Sequence, residues 1–407
     1  LFARHARTRR ERGRRSDRDN DSSQEDTMTC RSAPFASTAA AAALLACTIP
    51  AHAADINVPI LVPVTGVFAI EGTAQRNGAL LAAKRAPKGV NVKSEVSDTA
   101  VAPDVAVSQF ERAIGRDKPQ SVVASMIGIQ LLAMLPIGAE AKVPMLTTSG
   151  TARVTELNNP WIFRFFLTDA LAKEIHVRYV LEELKKRRIA LVHQTTAYGQ
   201  SGRTEILDRL TKAGIEPVLV EALEVTVRDM SPTISKVRQA NPEVVMLHLH
   251  SQPTALFVRA AAQAKLGLPI VAGSAIHQPT TVALLEPPEL VGVCGETNIS
   301  PVAGDTPELR AFAKAYRDEF NGEPDGFAVG QYDGMQMMME AVAKGAKTND
   351  EIRAALGAGT YKGLAMTYKS DGKGNMAHSG VIICYDGSSR TPKTVKRYEN
   401  LTGVLPK

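Results

Sequence analysis

Hydroxyl side chains crowd one short stretch of the chain, VPMLTTSGTARVTEL, from Val143 to Leu157. An apolar run, Val143 to Leu146, passes directly into Thr147, Thr148, Ser149, Gly150 and Thr151. Capping a helix needs only one such side chain. Four hydroxyls and a glycine at a strand end, ahead of a helix, offer more. Hydroxyl donors, free backbone N–H groups and the field of a helix N-terminus together suit a carboxylate. Ser149, Gly150 and Thr151 are therefore candidates for ligand contact. Capping by Ser149 or Thr151 is the alternative, and one residue can do both.

Catalytic signatures are missing. There is no G-x-x-x-x-G-K-[ST] phosphate loop; Gly345-Ala346-Lys347-Thr348 is a fragment of one. The run from Gly357 to Gly363 misses G-x-G-x-x-G by one residue and follows no expected strand. No G-x-S-x-G elbow occurs. His248 and His250 alternate along an expected strand, so both face the same way, but two histidines make an incomplete zinc site. The expectation is a protein with no catalytic residue, no metal and no cofactor. Polar groups at a strand end near a cleft are the reading for His248 and His250.

The elements that hold these residues come from a chain of 407 residues, 44% hydrophobic and 22% charged, which is ordinary globular composition. The first 53 residues stand apart. Residues 1–27 are rich in arginine and acids and almost devoid of apolar side chains, so they cannot fold alone. They read as a mis-assigned start, with a basic arm for nucleic acid as the lesser alternative. From Met28 the text becomes a signal peptide over 28–53: Arg31, an apolar run from Ala36 to Ile49, and small residues around Ala51-His52-Ala53. That run falls short of the roughly 20 residues of a membrane span. Leu44-Leu45-Ala46-Cys47 also fits a lipoprotein box, so lipidation at Cys47 stays open beside cleavage after Ala53. Removing 53 residues takes nine of the 48 basic and six of the 42 acidic side chains, leaving 39 and 36. Half of the net charge of +6 thus belongs to the leader, and the remaining +3 implies no nucleic-acid partner. Two cysteines remain, Cys294 and Cys384, both in apolar runs. Export permits a disulfide, but two buried free thiols are expected.

Beyond residue 54, β-branched runs alternate with amphipathic patterns. Strands are expected at 56–62, 92–97, 121–126, 144–147, 189–193, 217–221, 243–249, 269–272 and 290–294. Leu309, Phe312, Tyr316 and Phe320 mark one apolar helix face. Such alternation argues for α/β structure with parallel sheets covered on both faces. An internal similarity sharpens this. KPQSVVASMIG (118–128) leads through a helical stretch to VPMLTTSG (143–150), and NPEVVMLHLH (241–250) leads likewise to LPIVAGSA (268–275). Ser149 lies five residues after Pro144, and Ser274 five after Pro269. Two similar lobes would each present an equivalent strand end, where ligands of open parallel sheets bind.

Several segments together resemble type I periplasmic solute-binding proteins. VPVTGVFAIEGTAQRNGALLA is similar to their first strand and loop. NNPWIFRFFLTDA resembles their crossover, RRIALVHQTTAYGQSGRTEILDRLTKAGIEPV the start of their second lobe, and AYRDEFNGEPDGFAVGQYDGMQMMMEAVAKG their late helix pair. The resemblance covers nearly all of 54–400 and is nearest to the leucine/isoleucine/valine-binding receptors of ABC transporters. It implies two doubly wound parallel-sheet lobes, joined by three hinge crossings and closing on a ligand. Lobe 1 would comprise 54–167 and 301–375, and lobe 2 would comprise 168–300 and 376–407. It implies a monomer in the periplasm that docks on a membrane permease.

Carried over residue by residue, Ser149 and Thr151 match positions that hold the ligand carboxylate, and Tyr198 matches an aromatic that covers the ligand. The chain departs from the pattern elsewhere. Glu71 replaces an aromatic, and Gly128-Ile129-Gln130 replaces a hydroxyl-rich turn. Gly273-Ser274-Ala275-Ile276-His277 lacks the glutamate that pairs with a ligand ammonium, and a buried ammonium without an anion is costly. The first-lobe cysteine pair of some relatives is absent. A small carboxylate with an apolar body, an aromatic or keto monocarboxylate, is favoured. Apolar amino acids stay open if Glu71 or Asp169 supplies the charge. Phe68, Gln130, His250, Gln252 and His277 complete the expected cleft. A ligand-sensing module of a signalling system is the alternative of another class.

Overall fold

Proline and β-branched residues decide how the first sheet begins. Pro59 has no N–H to donate, and the run expected as one strand over 56–62 divides into β1 (Ala54–Asn57) and β2 (Ile60–Val62). Its neighbour divides in step into β3 (Val90–Lys93) and β4 (Val96–Asp98). β1 pairs with β3 and β2 with β4, both in parallel. With β5 (Val122–Ala124), β6 (Met145–Thr147) and β7 (Ile162–Arg164), the first main sheet runs β4-β2-β5-β6-β7, all parallel. β2, β5, β6 and β7 are buried at every residue, as strands covered on both faces must be. This computed structural model describes residues 53–304 and 306–403. The expected leader, Cys47 and all of the expected signal peptide except Ala53 lie outside them.

The second sheet repeats the plan. β8 (Ile189–Gln194), β9 (Leu219–Leu223), β10 (Val244–His248), β11 (Ile270–Ala272) and β12 (Val293–Thr297) are parallel, in the order β9-β8-β10-β11-β12. Counted along the chain, each sheet has the order second, first, third, fourth, fifth. The repeated unit of the sequence therefore occupies the same place twice. β5 pairs with β6 through Val122↔Met145, and β10 pairs with β11 through Val245↔Ile270. Beyond a small hairpin of β13 (Thr360–Lys362) and β14 (Thr367–Lys369), two antiparallel strands extend the second sheet from β12: β15 (Gly380–Cys384) and β16 (Lys393–Tyr398).

The chain passes between the sheets three times. It leaves the first after β7, and the helix Asp169–Arg178 packs beside β12. After β12 it returns, and the helices Pro307–Phe320 and Gly326–Ala343 pack on Ala69–Lys84 beside the first sheet. Leu309, Phe312 and Tyr316 are buried along one face as expected, with Phe320 half-buried. A Cβ on Gly78 would lie 2.2 Å from the Ala328 carbonyl oxygen, so only glycine permits this approach. The third passage precedes β15 and runs beside the first: Arg164 N–H donates to the Gly374 carbonyl at 2.8 Å, and Met376 N–H to that of Arg164 at 3.0 Å. Among the described residues no helix is long and apolar enough to cross a membrane.

One expectation is corrected here. Cys294 and Cys384 form a disulfide rather than two free thiols. The runs LVGVC and VIICY lie on adjacent antiparallel strands, β12 and β15, with the two cysteines in register and their Cα atoms 4.0 Å apart. Ninety residues separate them in sequence, and β15 lies beyond the last expected strand, so their adjacency had no local signal.

Candidate functional site

The hydroxyl-rich loop leaves β6 at Thr147 and sorts its hydroxyls into two kinds. Thr147 Oγ1 serves the loop itself, accepting from Ser149 N–H at 3.2 Å and donating to the Ser125 carbonyl at 3.3 Å. Ser149 Oγ and Thr151 Oγ1 are buried and have no hydrogen-bond partner among the described residues. Leaving such groups unmatched costs stability, so they signal a role beyond packing. Thr151 Oγ1 lies beside Gly128, the first residue of the helix Gly128–Glu140; a Cβ there would come within 2.2 Å of it. A buried hydroxyl and a helix N-terminus thus meet at one point.

Arg164, at the end of β7, fixes this loop. Its guanidinium donates to the carbonyls of Gly150 and Thr151, each at 2.9 Å, and to Thr155 Oγ1 at 3.1 Å. Burial lowers its pKa to about 10, with Asp169 the nearest compensating charge. Asp169 N–H donates to the Gly150 carbonyl at 2.6 Å. The loop is held from its carbonyl side, which leaves its hydroxyls for other use.

The opposing face comes from the second sheet. Thr196 caps the helix Ala197–Lys212 by accepting from Gly199 N–H at 3.2 Å, which places Tyr198 in its first turn. The Tyr198 ring lies 3.9 Å from His248 and 5.0 Å from His250, and its hydroxyl is 3.3 Å from Ser274 Oγ. The two alternating histidines do reach the same tyrosine. His248 Nε2 meets the Tyr198 carbonyl at 2.9 Å, and burial, with Lys173 nearby, pushes its pKa well below the ordinary value. His248 is a neutral packing group. His277 packs between Phe166 and Phe327 at 6.1 and 4.9 Å, contacts the Ser274 carbonyl through Nδ1, and leaves Nε2 unpaired.

Glu71 and Asp325 reach across from the first sheet's side. Glu71 Oε1 accepts from Ser251 N–H at 3.0 Å and Ser251 Oγ at 2.7 Å, with His250 Nδ1 at 3.6 Å. Burial works against its charge, but His250 and Ser251 outweigh burial and hold the carboxyl below its usual range. Gln278 Nε2 donates to Asp325 Oδ2 at 2.9 Å, while Asp325 Oδ1 caps the helix Gly326–Ala343 through Ala328 N–H at 2.8 Å.

These elements enclose a cavity of about 30 Å³. Of the expected residues, Glu71, Gly150, Tyr198, His250 and Ser274 line it. Ser149 and Thr151 flank Gly150, and Phe68 backs His250 with ring centroids 4.9 Å apart. Gln130 stands away from it, its amide spent on Thr99, Ala100 and Ser125. Gln252 is exposed. Five lining residues were not anticipated: Met126, Ile127, Ala275, Gln278 and Phe327. The internal similarity held a signal for two of them. Aligning Pro119 with Pro242 equates Ile127 with His250, and aligning Pro144 with Pro269 equates Gly150 with Ala275. Both pairs line the cavity. Phe327 had no comparable signal.

Asp169 is buried against Gly150, with His248 Nε2 at 3.9 Å and Tyr198, Lys173, Arg164, Ser201 and Glu296 around it. Burial raises its pKa from 3.8 to about 6, and Lys173, Ser201 and Arg164 only partly oppose this. The folded protein thus holds this proton more tightly than the unfolded chain. The associated stability is fully present below pH 3.8 and lost as pH rises through 6, about 3 kcal/mol at most. Asp169→Asn is expected to gain about 1–3 kcal/mol relative to the parent between pH 4 and pH 7 in urea unfolding. The same difference at both pH values would show that this carboxyl does not titrate in that interval.

Two parallel-sheet lobes that close on a cavity at their strand ends define a two-lobed binding protein. Residues 55–384 match the family model described as periplasmic binding protein, and the chain belongs to that family. It is 27% identical over 347 residues to a leucine-, isoleucine-, valine-, threonine- and alanine-binding protein of Pseudomonas aeruginosa, covering 80% of this chain and 88% of that one. A leucine-binding protein, LivK, of Thermotoga maritima shares the fold with a TM-score of 0.76 at 20% identity, covering 84% of this chain and 99% of that one. An ABC transporter solute-binding protein of Rhodopseudomonas palustris, solved with benzoate, does so with a TM-score of 0.76 at 18% identity, covering 86% and 97%. These relatives are solute-binding receptors rather than enzymes, in keeping with the missing catalytic signatures.

Proposed function

We propose that this chain is the periplasmic receptor of an ABC uptake system, closing its lobes on a small carboxylate with an apolar body and handing it to a membrane permease. Lobe 1 takes residues 54–167 and 301–375, lobe 2 takes 168–300 and 376–407, and the three passages between the sheets act as the hinge. The observation that carries this reading is the pair of buried hydroxyls without a partner among the described residues, Ser149 Oγ and Thr151 Oγ1, which flank the cavity-lining Gly150, with Thr151 Oγ1 beside the start of the helix Gly128–Glu140. A carboxylate accepts from both hydroxyls and is favoured by the helix terminus. Met126, Ile127, Ala275 and Phe327 suit the apolar body. The loop Ser274–His277 offers no acid for an ammonium, which favours an aromatic or keto monocarboxylate.

A second reading, an apolar amino acid, is favoured by the name of the Pseudomonas aeruginosa relative and by the buried acid Glu71 in the cavity wall. In either reading the ligand enters as the lobes part and is held as they close again.

Thermal-shift screening of carboxylates separates the two, since a ligand that binds only the folded state raises the melting temperature. Ser149→Ala with Thr151→Ala is expected to weaken the binding of any carboxylate found by roughly 100-fold, at two charge-assisted hydrogen bonds lost. The unfolding transition of the unligated variant should be preserved. Unchanged affinity measured by calorimetry would remove both residues from the site.

A further inference from the structure

Glu71 is divided between two tasks. One carboxylate oxygen, Oε1, is engaged across the cleft by Ser251 and His250. The other, Oε2, is buried, has no hydrogen-bond partner among the described residues, and belongs to a side chain that lines the cavity. The residue is 4% exposed, so water does not satisfy that oxygen from outside. An ionised carboxylate can only accept hydrogen bonds. Its free oxygen therefore calls for a donor, and the cavity is where one can arrive. The donors of the surrounding wall are engaged elsewhere: the Tyr198 and Ser274 hydroxyls face each other, His250 Nε2 meets Thr196, and Gln278 Nε2 donates to Asp325, while Met126, Ile127, Ala275 and Phe327 are apolar.

We infer that Glu71 is a specificity-determining residue, and that the ligand is a carboxylate carrying a hydrogen-bond donor, a hydroxyl or an ammonium group, which Glu71 Oε2 receives. This rests on the receptor reading above and narrows it. The anchor for the acid end is the hydroxyl loop of Ser149 and Thr151, and the reader of the donor is a different element, the first turn of the helix Ala69–Lys84. Because Oε1 of the same carboxylate holds Ser251 of the opposite lobe, a donor on Oε2 also steadies the group that ties the lobes together. A ligand lacking the donor leaves a buried charge short of a partner. Sites built around such a group reject the donor-free analogue strongly.

Calorimetric titration with matched pairs tests this. One pair is 4-hydroxybenzoate against 4-fluorobenzoate, and the other is leucine against 4-methylpentanoate. The donor-bearing member of at least one pair is expected to bind about tenfold tighter or more. The pair that responds tells a hydroxyl from an ammonium. In Glu71→Gln, whose amide can turn its N–H₂ toward the cavity, that preference should fall below about threefold. Equal binding within both pairs, or a preference that survives in Glu71→Gln, overturns the inference while leaving the receptor reading intact. Loss of all binding in Glu71→Gln with its unfolding transition retained also overturns it, since Glu71 then serves closure alone. Failure of all four acids to bind the parent protein removes the carboxylate reading and this inference together.

Discussion

Replacing Arg164 by methionine is expected to lower unfolding stability by about 3–5 kcal/mol and ligand affinity by roughly tenfold or more. The guanidinium is fully buried and donates to three acceptors within the segment 150–155. Methionine fills much of the volume but donates nothing. The Gly150 and Thr151 carbonyls would each lose a charged donor and keep only the N–H of Asp169 and of Val154, at a cost of about 1.5–3 kcal/mol per hydrogen bond to a charged group. Asp169 would lose one of the two cations, Lys173 and Arg164, that favour its charged form. The affinity loss follows because the same carbonyls set the direction of the Ser149 and Thr151 hydroxyls. Arg164→Lys keeps a charge but not the planar fork, and should fall between the parent and the methionine variant. Urea unfolding of the unligated proteins gives the stability term, and calorimetry with whichever carboxylate binds the parent gives the other. A stability loss below about 1 kcal/mol would show that the loop is held by other contacts.

The second large effect concerns the disulfide. Cys294→Ala with Cys384→Ala is expected to cost about 3–5 kcal/mol, the range for a crosslink closing a loop of this length. The loop spans 90 residues and includes the whole excursion through the helices Pro307–Phe320 and Gly326–Ala343. The bond also fastens the antiparallel edge, β15 and β16, to the parallel part of the second sheet. Parent protein measured in dithiothreitol should unfold at the urea concentration of the double variant, and the variant itself should not respond to the reductant. Ready alkylation of Cys294 and Cys384 in unreduced, denatured parent protein would show that the pair is not formed.

Much of the fold could be read ahead because its strands are short, β-branched and buried on both faces. Ile60–Val62, Val244–His248 and the rest of the parallel set stood out as apolar runs between turn residues. β7, with only Ile162, Phe163 and Arg164, and the antiparallel β15 and β16 carry no such local signal, since their pairing depends on partners far away in sequence. The same limit governs the site. Gly150, Tyr198, His250 and Ser274 lie at strand ends or helix starts, where local pattern locates them. Gln130 also sits near a strand end, but its amide turns inward to Thr99 and Ser125, which no pattern of residue types shows. Phe327 arrives from a helix that follows the second passage, and only the folded chain brings it to the cavity.

The shared strand order of the two sheets gives the cavity an approximate dyad, with equivalent loops facing one another. A cleft that kept this symmetry would accept an elongated solute in either of two opposed poses. The register that equates Gly150 with Ala275 also equates Thr151 with Ile276. A hydroxyl on one side therefore answers to a hydrocarbon on the other, and both side chains are buried. That inequivalence gives the cleft a polarity. On the proposed reading it would assign the acid end of a bound molecule to one lobe and fix which end faces the other, so that a closed receptor would present its cargo in one orientation.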